Sequence, residues 1–180
     1  MKTLLPKLLK SRIVLAVGLL ALIAAVAAST AWSGAPESRV KLEGAWICQT
    51  DNGVRSMVTY APSDPSGLSA VFRNQMVWPP EVLTAMGIEA VTEEIAEEFV
   101  TGHRTSKYSG IWYGLVGGEI VAIFVDNSTI THLSPTLGTI AHTIEVYLAT
   151  ADADNDGFPD PGSQPVETVS AKSTTKRVGR

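Results

Sequence analysis

The C-terminal half of this chain is written in the two-residue period of β-strands, and that pattern limits the fold more than any other feature. Across residues 139–150, Ile140, His142, Ile144, Val146 and Leu148 recur at every second position, which only an extended strand places on one face. Residues 119–125 are apolar on both faces, as in a strand at the centre of a sheet. Gly117-Gly118 separates that run from a further strand at 109–115, with Trp112 and Tyr113 on opposite faces. Asp126-Asn127-Ser128 reads as a turn leading to a short strand at 129–133.

The first half continues the theme. On residues 40–48, Val40, Leu42, Trp46 and Cys48 share a face. Segments 54–60 and 68–73 flank a loop rich in Pro and Gly and predict a hairpin whose second arm reaches residue 78. Pro80 and Gly87 bracket a short helix over 80–86. A second helix is expected over 92–100, capped by Thr92. It would bury Ile95 with Phe99 and turn Glu94, Glu97 and Glu98 to solvent. The expected fold is mainly β, an antiparallel barrel or sandwich with two short helices inserted mid-chain.

The N-terminus differs in kind. Lys2, Lys7, Lys10 and Arg12 precede an apolar stretch from Ile13 to Ala28, and Ser29-Thr30-Ala31 follows. A basic region, an apolar region and small residues in that order describe a signal peptide. Cleavage is expected after Ala31, or after Ala27 or Ala28; left uncleaved, the segment is an N-terminal membrane anchor. Both readings put the remainder on the outer side of a membrane. The expected organisation is 1–31 signal peptide or anchor, 32–39 linker, 40–165 a single β-rich domain and 166–180 a flexible polar tail.

The chain has 14 Lys and Arg against 18 Asp and Glu. Removing 1–31 takes away four basic residues and no acid, leaving a net charge of −8. That sign argues against nucleic acid and against anionic membrane surfaces as partners. Cys48 is the only cysteine, so no intramolecular disulfide supports the fold.

Asp152-Ala153-Asp154-Asn155-Asp156-Gly157-Phe158-Pro159-Asp160 is the sharpest chemical signal. Alternate Asp residues send carboxylates to one centre, and Gly157 permits the sharp turn. The nonapeptide resembles the calcium loops of EF-hand and thrombospondin type 3 repeat proteins. That resemblance implies a structural Ca²⁺ held by the side chains of Asp152, Asp154, Asp156 and Asp160 and by the Phe158 carbonyl. Ser163 stands where an EF-hand has its bidentate Glu.

Gly44-Ala45-Trp46 on the first strand resembles the opening of lipocalin-like barrels, in which the Trp closes the barrel base. His142, on an apolar face, and Trp46 are the candidate ligand-binding residues. His103, His132 and His142 show no metal-ligand spacing, and no local catalytic motif is present. The expected function is an exported, non-enzymatic β domain that binds a small apolar ligand or a protein partner. An envelope structural or adhesive module, and a hydrolase-type enzyme using His142 or His132, are the alternatives.

Overall fold

The computed structural model describes residues 41–179. The expected signal segment and the whole of the expected linker lie outside them. Among the described residues nine strands are present: β1 (Gly44–Thr50), β2 (Arg55–Pro62), β3 (Ser69–Val77), β4 (Ala90–Val91), β5 (Glu94–Val100), β6 (Thr105–Val116), β7 (Glu119–Ser134), β8 (Leu137–Leu148) and β9 (Glu167–Arg177). One α-helix among the described residues, α1 (Pro80–Met86), sits between β3 and β4, and a 3₁₀ turn (Ala149–Ala151) follows β8. Eight strands pair antiparallel in the cyclic order β1-β2-β3-β5-β6-β7-β8-β9, and β9 returns to β1 from Trp46↔Arg177 to Thr50↔Ser173. The sheet is therefore a closed barrel with no free edge among these eight. The two-residue β4 pairs with β6 beside β5.

Three expectations are corrected. The segment read as a second helix is β5, bonded to β3 and β6 along its length. Ile95 and Phe99 are exposed, while Glu94 and Glu98 are 2% and 0% exposed. Two of the three acids expected on a solvated face, Glu94 and Glu98, thus point into the barrel, where hydrogen-bonding partners await them, while Glu97 is exposed as expected. Asp126-Asn127-Ser128 is not a turn but the middle of the 16-residue β7, with Asp126 and Ser128 inward. The expected flexible tail contains β9, paired to both β8 and β1. Its Ser, Thr and Lys composition masked a strand whose inward Ser173 and Thr175 face a polar interior.

Two clusters fill the barrel. Trp46, Cys48, Val58, Phe72, Ala96, Tyr108, Ile130 and Ile140 form one, and Phe72 meets Tyr60 and Tyr108 edge-on at 5.4 and 5.1 Å. Ile88, Trp112, Ala122, Phe124 and Val146 form the other, with Trp112 stacked on Phe124 and with Leu83 and Met86 of α1 packed against it. α1 stops at Gly87, whose φ of 73° is the left-handed helix stop that its sequence predicts.

Candidate functional site

A cavity of about 70 Å³ opens within the barrel. Its apolar wall includes Val54, Val58, Phe72, Met76, Ile130, Ile140 and Ile144, and Thr50, Asn52 and Trp78 line it at the end where β1 turns into β2. By the same measure one water needs about 10–15 Å³. The space therefore suits a few waters or a very small molecule, or the head of a longer one.

Polar side chains from six strands gather at this cavity and fall into two sets. The first is closed on itself. Asp126 Oδ2 accepts the Tyr108 hydroxyl at 2.8 Å and lies 2.8 Å from His142 Nδ1. Ser128 donates to Asp126 Oδ1. Since both hydroxyl protons go to Asp126, the Nδ1 of His142 carries its own proton to the same carboxylate. Its Nε2 is then left to accept from Ser173 Oγ at 2.7 Å.

The second set is open. Asn74 Nδ2 donates to Glu94 Oε2 at 2.7 Å, but Asn74 Oδ1 and Glu94 Oε1 have no partner. Nor have the indole N–H groups of Trp78 and Trp112. All four residues line the cavity. Burial lifts the Glu94 carboxyl to about 8, helped by the nearby charge of Asp126 and opposed by the Asn74 hydrogen bond. Glu94 is accordingly neutral at pH 7. It fits only because residue 110 is glycine: a Cβ there would collide with Glu94 Oε1 and stand 2.8 Å from the Ala96 Cβ.

A third cluster lies nearer the start of β1. Glu98 accepts Tyr60 at 2.6 Å and Ser106 at 2.5 Å, and Ser106 is 3.1 Å from His132 Nε2. Burial raises Glu98 above the usual carboxylate range. Burial, and then Arg104, hold His132 down to about 4. His132 meets Trp46 edge-on at 6.3 Å.

Of the two residues expected to face a ligand, His142 lines the cavity and Trp46 does not. The Trp46 indole instead donates to the Glu43 carbonyl at 3.3 Å. Asn74, Glu94, Trp78, Trp112, Asp126 and Ser173 escaped sequence reasoning. The usable signal was the two-residue spacing that sets Glu94, Ala96 and Glu98 on one face of β5 and Ala171, Ser173 and Thr175 on one face of β9.

In the acidic loop, carboxylate oxygens of Asp152, Asp154 and Asp156 lie within 4.8 Å of one another. Asp160 stands outside that trio, its Oδ2 accepting the Ala153 N–H at 3.0 Å. Asp152 accepts the N–H groups of Asp156 and Gly157, both at 3.0 Å, which shapes the turn. Tyr113 ties the loop to β6 by donating to the Gly157 carbonyl at 2.9 Å. Hard oxygen donors gathered this way fit Ca²⁺ chemistry.

No protein-family model matches the chain, and no curated protein matches it. Among solved structures, EF1p2_mFAP2b bound to DFHBI is similar at 16% sequence identity and a TM-score of 0.47, over 76% of this chain and 93% of that one.

Proposed function

We propose that this chain is a binding barrel that takes a small ligand into its interior. The observation that carries the reading is the open set. Four buried polar atoms without partners line one cavity, and each such atom costs about 1–3 kcal/mol when left unsatisfied. A folded protein tolerates that cost where a ligand or bound water supplies the missing bonds. The trial uses protein isolated without refolding. Native mass spectrometry under gentle conditions is expected to show bound mass beyond the polypeptide, lost on collisional activation. Bare polypeptide, together with a solid interior by xenon binding, would count against a ligand site.

The basic, apolar and small-residue order of 1–31 supports export as the setting. The Asp152–Asp154–Asp156 trio supports a structural Ca²⁺ that stiffens the loop after β8. Asp154→Ala is expected to abolish calcium-dependent stabilisation while leaving the calcium-free melting temperature within about 2 °C, since this side chain is exposed. An equal calcium response in both proteins removes the assignment.

A second reading, hydrolysis, is favoured by one contact set: Ser173 Oγ, His142 and Asp126 follow one another at 2.7 and 2.8 Å in the order of a nucleophile, base and orienting acid. Its readout is labelling by a fluorophosphonate. Modification of Ser173 that disappears in Ser173→Ala would establish it, and an unlabelled wild type would dismiss it.

A further inference from the structure

The cavity's polar groups also specify the chemistry of what enters. From its donor and acceptor pattern we propose that the ligand is an uncharged molecule with an amide-like head, offering both a carbonyl acceptor and an N–H donor on a small apolar frame. This rests on the binding reading above.

Charge comes first. Among the described residues, the only charged or titratable side chains on the cavity wall, apart from the Cys48 thiol and the Tyr60 and Tyr108 phenols, are Glu94, Asp126 and His142, and no Lys or Arg lines it. A carboxylate or phosphate ligand would enter without a countercharge and beside Asp126, whose own partners are already in place. Desolvating it there costs several kcal/mol with nothing to repay the loss. An ammonium meets the opposite difficulty. It could donate to Asn74 Oδ1, but it offers no acceptor to the two unpartnered indole N–H groups. Asp126, the other acid on the wall, is occupied by Tyr108, Ser128 and His142.

Hydrogen bonding comes second. Trp78 and Trp112 can only donate, so each requires an acceptor. Asn74 Oδ1 can only accept, so it requires a donor. Glu94, held neutral by burial, has one free oxygen that can give or take a proton. A hydrocarbon would leave all four groups unmatched, and a ketone would leave Asn74 Oδ1 unmatched. A primary or secondary amide carries two carbonyl lone pairs and at least one N–H, which answers both kinds of need. The aliphatic wall of Val54, Val58, Met76, Ile130, Ile140 and Ile144 suits a short branched frame.

The experiment is a titration of ¹⁵N-labelled protein at pH 6.5 with four probes of similar size: isobutyramide, isobutyrate, isobutylamine and isopentane. The Trp78 and Trp112 indole N–H resonances report directly from the cavity wall. Isobutyramide is expected to shift both resonances saturably and to bind at least tenfold more tightly than each of the other three. If isopentane binds as well as the amide, the head-group inference is overturned while the binding barrel stands. Preference for isobutyrate or isobutylamine overturns it in favour of an ionic ligand. If none of the four moves either indole signal, the binding reading falls as well.

Discussion

Glu94→Gln is expected to make the barrel more stable at pH 9 by several kcal/mol, while changing little at pH 4. Glu94 is buried and holds its proton up to about 8 in the folded chain, against the ordinary 4.5 when unfolded. Between those values the native state binds more protons than the unfolded state, so unfolding free energy falls as pH rises. One proton corresponds to about 1.4 kcal/mol per pH unit. His132 works in the opposite direction at lower pH. It loses its proton at about 4 when folded and at 6.5 when unfolded, so stability rises with pH across that window. The two slopes offset each other between about 4.5 and 6.5. From 6.5 to 8 Glu94 acts without that opposition, and the wild type should lose about 2 kcal/mol there. Glu98, also raised by burial, adds to the fall in both proteins. The difference between wild type and Glu94→Gln therefore isolates one carboxyl. Urea unfolding at half-unit pH steps reads it directly, and parallel curves for the two proteins would mean that Glu94 ionises freely in the folded state.

The same residue shows where sequence reasoning stopped. Strand periodicity was legible wherever the inward face is apolar: β8 with Ile140, Ile144 and Val146, the first half of β7, and both arms of the β2–β3 hairpin. It failed at Glu94 and Glu98 of β5, at Asp126 and Ser128 of β7 and at Ser173 and Thr175 of β9, where the inward face is polar. On β5 the alternation is present but inverted, with Glu94 and Glu98 inside and Ile95 and Phe99 outside. Burial follows partners as well as hydrophobicity, and the partners of these acids come from β2, β3 and β6. No local window contains them. Cyclic closure has the same character, because the β9–β1 pairing joins residues more than a hundred positions apart. Of the cavity, His142 alone was found in advance, since its apolar neighbours marked an interior face. The acidic loop, by contrast, is a continuous segment, and three of its four expected side-chain ligands do converge.

Asp126 is the residue on which the closed polar set depends, and Asp126→Ala is expected to cost about 3 kcal/mol or more, because it strands three buried donors at about 1–3 kcal/mol each. The carboxylate is 2% exposed and receives the Tyr108 and Ser128 hydroxyls and the His142 imidazole. Alanine leaves three buried donors facing a void. Tyr108→Phe removes one of those donors, so Asp126→Ala combined with Tyr108→Phe should cost less than the sum of the single changes. Asp126→Asn separates charge from hydrogen bonding. It keeps one acceptor oxygen and so costs less than alanine. It also removes the second contributor to the elevation of Glu94, after burial. The stability loss between pH 6.5 and 8 should then shrink in Asp126→Asn, because Glu94 ionises at a lower pH in the folded state. Urea midpoints for the four proteins at pH 6.5, with the pH series repeated for Asp126→Asn, test both halves. A cost below about 1 kcal/mol for Asp126→Ala would mean that water replaces the carboxylate. An unchanged pH slope in Asp126→Asn would mean that burial alone holds the Glu94 proton, and that the open and closed polar sets do not communicate.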